Sequence, residues 1–200
     1  MTTDGQGYFE SLYARSADPY GVRDRWYEQR KRSIVLSSLP RRRFRQCYEP
    51  GCGNGELTAQ LAERCDAVLA ADFSEHALHA AANRLNALPH VRLARHTLPG
   101  DWPTGLRFDL VVLSELLYFL PLADIRTVAQ CCAASLADDG VIVACDWLLP
   151  FAERATPVDE VHAALASTGL PCLATHAEAD FRLHVWTRDA RSVAQREGVR

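Results

Sequence analysis

The chain lacks any apolar run near the length of a membrane-spanning helix, which argues against an integral membrane protein built on helices. It also lacks a C-x-x-C pair. Its seven cysteines are an odd number, and the adjacent Cys131-Cys132 falls within a helical pattern. Buried thiols are expected, not a disulfide framework. The first ten residues hold neither a basic region nor an apolar core of the secretory kind, so the expected location is the cytoplasm. The histidines fall in no metal-ligand spacing: His76 and His79 are three apart with no thiol or carboxylate set beside them, and no metal is expected. Net charge is only −3, without the basic excess that a nucleic-acid binder carries.

What remains is a composition of 48% hydrophobic and 24% charged residues over 200 residues, which suits one globular domain with a substantial core. The positive charge is uneven. Arg23, Arg25, Arg30, Lys31, Arg32, Arg41, Arg42, Arg43 and Arg45 crowd one stretch. They read either as a solvated helix face followed by a basic loop, or as a rim that draws in an anionic substrate.

The most informative segment is Glu49-Pro50-Gly51-Cys52-Gly53-Asn54-Gly55. It follows an expected strand, Phe44–Tyr48, and opens an expected helix, Glu56–Arg64. Glycines there allow a sharp turn and close approach of a ligand to the backbone. The following helix points free N–H groups at the same place. Seventeen residues past Gly55, the apolar run Ala67–Ala71 ends in Asp72, a distance that suits the hydroxyls of a ribose. A nucleoside-containing cofactor is expected. The spacing is G-x-G-x-G, not the pyrophosphate fingerprint G-x-G-x-x-G, and Glu49 two residues ahead of the first glycine would repel phosphate and welcome a cation.

Along the chain, helices are expected over 5–17 and 24–39, joined by a turn at Asp18-Pro19-Tyr20-Gly21. In the second, Arg30 and Lys31 interrupt an apolar stripe of Trp26, Tyr27, Ile34 and Val35. They either snorkel to water or face a ligand, one of them meeting a carboxylate. Beyond the glycine loop come strand Ala67–Asp72, helix 74–87 capped by Ser74, strand Val91–Arg95, a loop through Pro99–Gly105, strand Phe108–Leu113 and helix Ala123–Leu136. A turn at Asp138-Asp139-Gly140, strand Val141–Cys145 and a helix from Pro157 to Ser167 follow. Cys172–His176 and Phe181–Thr187 read as an antiparallel closing hairpin. The expected fold is a single-domain, doubly wound, Rossmann-like α/β sheet, mostly parallel, with helices on both faces. Residues 1–40 would form a helical cap of the same domain, 41–188 the core, and 189–200 a charged, flexible tail. Ligands of such sheets sit at the carboxyl ends of strands. That gathers Glu49–Gly55, Asp72, Arg95–Leu98, Ser114–Tyr118 and Asp146–Trp147 around one crevice.

These stretches carry a resemblance. Asp18-Pro19-Tyr20, the Tyr27–Lys31 segment, Glu49–Thr58, Asp72-Phe73-Ser74 and Phe108–Tyr118 are together similar to the nodulation protein S group of class I S-adenosylmethionine-dependent methyltransferases. The resemblance covers residues 8–188 and implies methyl transfer from S-adenosylmethionine to a small molecule, giving S-adenosylhomocysteine. In the best-known member the acceptor is the nitrogen of an amino sugar. It further implies that Gly51, Gly53 and Gly55 line the methionine and ribose, that Asp72 holds the ribose hydroxyls, and that Phe73 lies against adenine. Where many relatives place an Asp for the adenine amino group, this chain has Arg95-His96-Thr97-Leu98 and no acid until Asp101; Thr97 or a backbone carbonyl would serve instead. The expected cofactor set is Arg30, Glu49, Gly51, Cys52, Gly53, Asn54, Gly55, Asp72, Phe73, Ser74, His96, Thr97, Leu98, Ser114 and Glu115.

Ser114-Glu115-Leu116-Leu117-Tyr118 stands where base-modifying methyltransferases carry an Asn/Asp/Ser-Pro-Pro-aromatic signature, so a flipped nucleobase is not expected. Glu115, His162 and Tyr118 are the candidates for catalysis. Glu115 could accept from an acceptor amine or take its proton through water; its plainer role is a helix cap or a partner for an Arg. His162 is a second candidate base or a structural histidine. Tyr20, Trp26, Tyr118 and Trp147 either wall an acceptor pocket or fill the core. Cys52 is expected to pack beneath the cofactor, not to act as a nucleophile. Small-molecule O-methylation and a non-catalytic domain that binds S-adenosylmethionine or S-adenosylhomocysteine are the alternatives; a nicotinamide enzyme is disfavoured by the glycine spacing and Glu49. A monomer or homodimer is expected.

Overall fold

Alternating apolar strands in this chain assemble one sheet whose two faces are both covered. The computed structural model describes residues 3–200, with side chains from Gly7 onward; Met1 and Thr2, where the expected cap begins, lie outside the described residues. Its strands are β1 (Phe44–Pro50), β2 (Cys65–Asp72), β3 (Val91–Arg95), β4 (Phe108–Ser114), β5 (Leu136–Trp147), β6 (Cys172–Ala177) and β7 (Phe181–Thr187). The helices are α1 (Thr3–Arg15), α2 (Trp26–Ser38), α3 (Glu56–Ala62), α4 (Glu75–Leu85), α5 (Leu122–Ser135), α6 (Val158–Ala166) and α7 (Val193–Arg196). The strand order is β3-β2-β1-β4-β5-β7-β6. The first five strands run parallel, and β7 is antiparallel to both β5 and β6.

Strand β4 shows why the fold is doubly wound. Its continuous apolar run divides by side-chain alternation. Val111 and Leu113 join the core on the side of α5 and α6, while Leu110 and Val112 join the core beneath α2 and α3. A one-residue slip would exchange the two sets, so the burial fixes the register Cys47↔Leu110 and Tyr48↔Val111. Ser74 caps α4 as expected, its Oγ accepting from the Ala77 N–H at 3.1 Å.

One expectation fails here. Asp138-Asp139-Gly140 is not a free turn but lies within β5, in the irregular stretch between the pairings Phe108↔Leu136 and Leu110↔Val141. Arg41 and Arg45 hold the Asp139 carboxylate, and the Arg188 N–H donates to the Gly140 carbonyl, so the polar residues bulge instead of reversing the chain. The segment 189–200, read as a flexible tail, contains helix α7. Ser192 and Gln195 close a capping box on it, and the Arg196 guanidinium reaches the Asp189 carboxylate.

The sheet order reverses between β1 and β4. The loops that follow these two strands diverge there and open a crevice at their carboxyl ends.

Candidate active site

A cavity of about 520 Å³ fills that crevice. Its floor is the end of β1 and the loop after it, where Glu49, Gly51, Cys52, Gly53 and Asn54 all face the space. Gly53 has φ +55°, and a Cβ there would meet the Tyr13 hydroxyl at 2.7 Å, so only glycine fits between the loop and α1. Gly55, expected beside the ligand, instead packs α3 on α4: a Cβ would meet Leu85 Cδ1 at 3.0 Å, and the residue does not line the cavity.

Two buried acids flank the loop. Asp72, at the end of β2, accepts from the Gly53 N–H at 3.0 Å through Oδ2 and from the Ser74 N–H at 3.0 Å through Oδ1. Burial raises its pKa above the usual carboxylate range against those hydrogen bonds. Glu49 Oε2 is buried without a hydrogen-bond partner, and burial, aided by the Asp72 charge, pushes the Glu49 carboxyl up to about 8. A buried acid with an unpaired oxygen beside a ligand space suits a cationic group. Cys52 is a buried thiol raised by the same burial, which leaves it protonated and not a nucleophile.

Phe73, His96, Thr97 and Leu98 form one end of the cavity. His96 Nδ1 is 3.0 Å from the Tyr48 hydroxyl, and burial lowers its pKa. Asp101 accepts from the Thr97 N–H at 2.8 Å. It shapes that loop instead of facing the cavity. Ser74 is buried behind the wall as a helix cap and does not line the space.

The opposite end is built around Glu115, the only described non-glycine residue with positive φ, at 54°. Such backbone strain costs about 1–3 kcal/mol and persists where surroundings over-determine it. Here its N–H donates to the Cys145 carbonyl at 2.9 Å. Its Oε1 accepts from Lys31 Nζ at 2.7 Å, and its Oε2 accepts from the Tyr118 hydroxyl and from the Trp147 N–H at 3.0 Å. Lys31, buried on α2, also meets Glu28 at 3.1 Å. Tyr118 in turn packs edge-on against Phe119 at 4.6 Å and Phe151 at 5.2 Å, and Tyr20, Arg25, Trp147 and Glu153 line the same cavity.

The expected site is therefore partly rearranged. Of the cations on α2, Lys31 and Arg32 line the cavity and Arg30 does not. Arg30 turns outward to make a two-pronged pair with Glu178 at 2.7 and 2.8 Å. Trp26 is 74% exposed and absent from the wall, because it opens α2 on the side away from the sheet. His162 is buried on the far side of β5, with Nε2 3.0 Å from Asp146 Oδ2 and Nδ1 2.6 Å from His184 Nδ1, and does not line the cavity. Much of the basic stretch is consumed in ion pairs, with Arg23 on Glu56, Arg43 on Asp66 and Arg45 on Asp109, while Arg25, Lys31 and Arg32 line the cavity. Helix α1 was missed as a wall. Phe9 packs edge-on at 4.7 Å from Phe119 and 6.1 Å from Phe73. Its spacing with Tyr13, one turn apart on one face, was the available signal.

A methyltransferase domain family model matches residues 48–142. A crystal structure from Pseudomonas syringae, named provisionally as a methyltransferase, is 44% identical, covers 82% of this chain and 100% of its own, and superposes with a TM-score of 0.73. The chain belongs to the class I methyltransferases.

S-adenosylmethionine is the cofactor of this methyltransferase family. Nodulation protein S from Sinorhizobium fredii is 29% identical over 63% of this chain and 59% of its own length, so the match spans about three fifths of that relative. The N-methyltransferase NodS from Bradyrhizobium japonicum, solved with S-adenosylhomocysteine, shares the fold at a TM-score of 0.80 and 22% identity, covering 92% of this chain and 97% of that one. The cavity fits such a cofactor: the unpaired Glu49 oxygen suits its amino group, the glycine cradle its backbone approach, and Asp72 its ribose hydroxyls.

Proposed function

We propose that this chain transfers a methyl group from S-adenosylmethionine to a small-molecule acceptor, with amine nitrogen as the accepting atom. The observation that carries the reading is Glu115, held at positive φ with its carboxylate in the same cavity as the glycine loop and Asp72. When bound, S-adenosylmethionine supplies an electrophilic methyl on a sulfonium. The chain's own part is then to bind, align and exclude water. Glu49, Gly51, Cys52, Gly53, Asn54 and Asp72 would hold the amino-acid and ribose ends, while Phe73, His96, Thr97 and Leu98 would enclose the adenine. Glu115 would accept a hydrogen bond from the acceptor amine and stabilise the positive charge that grows on its nitrogen. Tyr118 serves by fixing the Glu115 carboxylate. The Glu115, Glu28 and Glu153 carboxylates and the aromatic rings that line the cavity support an amine-bearing molecule, an amino sugar among the candidates.

The test is a methyl-labelled S-adenosylmethionine assay against paired acceptors that differ only in carrying an amine or a hydroxyl, starting with amino sugars. Label on nitrogen supports the reading, and label on oxygen alone replaces it with O-methylation. Binding of S-adenosylhomocysteine without transfer to any acceptor would favour a binding role.

A further inference from the structure

Lys31 is the chain's only lysine, and its ammonium stands where an acceptor amine is expected to dock. Its side chain is 7% exposed, and it reaches Glu115 Oε1 at 2.7 Å and Glu28 Oε2 at 3.1 Å. Burial alone would push the Lys31 pKa down, but the Glu115 and Glu28 carboxylates outweigh it and hold the group firmly protonated. A protonated amine has no lone pair, so Lys31 cannot itself take the methyl. The other groups facing it are Tyr27 on α2, whose ring centre lies 5.2 Å from Nζ, Tyr118 after β4, and Cys145 and the Trp147 N–H on β5, while the Asp146 charge acts on it from the opposite face of that strand.

Three of the roughly four lone-pair directions of Glu115 are already taken, by Lys31, Tyr118 and Trp147. An acceptor nitrogen that uses the last direction shares one carboxylate with an existing ammonium. Like charges that close, in a partly desolvated cavity, make the second cation less favourable than it would be without Lys31, the Glu28 carboxylate offsetting part of the effect.

We propose that Lys31 makes the acceptor amine bind in its neutral, nucleophilic form by occupying the cationic side of Glu115. This rests on the amine reading above. It gives the site a way to strip the proton from the acceptor on entry, so the proton leaves to solvent before the methyl–sulfur bond breaks and the carbon–nitrogen bond forms. Glu115 then needs to act only as a hydrogen-bond acceptor.

The test needs no natural acceptor. Sinefungin is a cofactor analogue with a primary amine on the carbon that replaces the methylsulfonium, so it carries an amine to the reacting centre. Its affinity is measured by calorimetry beside S-adenosylhomocysteine, which shares its other groups, in wild type, Lys31→Met and Lys31→Arg. Expected in wild type is a sinefungin affinity, relative to S-adenosylhomocysteine, that rises roughly tenfold per pH unit between about pH 6.5 and 8.5, with about one additional proton released. Lys31→Arg keeps that slope. Lys31→Met loses it and binds sinefungin more tightly at the lower pH. A wild-type ratio independent of pH, or the same slope in Lys31→Met, overturns the inference while leaving the cofactor reading intact. Should Lys31→Met fail to fold, the proton count on wild type in buffers of different ionisation enthalpy decides alone. Failure of wild type to bind either ligand would overturn the cofactor reading and this inference together.

Discussion

Glu115, after β4 and half-buried, and Asp146, near the end of β5 and fully buried, are neighbouring carboxylates that each meet a basic side chain, yet they face different worlds. Glu115 meets Lys31 and opens to the cavity. Asp146 meets His162 and is sealed behind the sheet, with its Oδ1 unpaired. Strand alternation divides them: the Trp147 N–H turns to Glu115, while the Asp146 side chain points to the α6 face that carries His162. Both clusters bury charge, and burial raises the Asp146 pKa as it raises that of Asp72. Perturbed titration alone would nominate Asp146 as a site. Access to the cavity is what separates chemistry from structure here.

The sharpest way to break the comparison is to neutralise each side in turn. Glu115→Gln should lower turnover by roughly a hundredfold or more, while calorimetry finds S-adenosylhomocysteine affinity within about twofold of wild type. If turnover survives, the acceptor end has been misassigned. His162→Leu should do the reverse. It leaves the buried Asp146 carboxylate without a partner, so urea unfolding should show a loss of about 3 kcal/mol, with the turnover of the folded fraction unchanged. A selective fall in turnover at full stability would restore His162 as a base.

Much of this arrangement was legible in the residues. The strand–glycine-loop–helix unit and Asp72 are set by local rules of backbone conformation and periodicity, and they stand where the sequence puts them. The acceptor end was less legible because it is assembled from distant parts of the chain. Arg30 and Lys31 are adjacent, about 100° apart around a helix, and both border the same apolar stripe. What sends Arg30 outward is Glu178, beyond the end of β6, and what draws Lys31 inward is Glu115. Neither pairing leaves a local trace. His162 is the same lesson in another place: its neighbour His184 arrives only because β7 inserts antiparallel beside β5.

The sealed cluster should also show itself in acid. Burial, with the nearby His162 and Arg182 charges, lowers the His184 pKa to about 4. The unfolded chain, with an ordinary histidine near 6.5, binds more protons between these values, so folding stability falls as pH drops from about 6.5 through 4. Asp146, raised by burial, works against that slope, so the effect is read as a difference. The fall in the urea midpoint across this window should be shallower in His184→Phe than in wild type. An unchanged slope would mean that His184 is not held neutral.

The smallest effect should come from the cation that sequence reasoning favoured. Arg30→Ala removes a pair whose side chains are 42% and 24% exposed, so solvent screening leaves little change to be seen in urea unfolding. Because Arg30 points away from the cavity, calorimetry should give wild-type affinity for S-adenosylhomocysteine. A clear loss of affinity would mean that α2 rotates when the cofactor enters, exchanging Arg30 for Lys31 at Glu115. The separation drawn here between a cavity-facing and an outward-facing cation would then hold only without ligand.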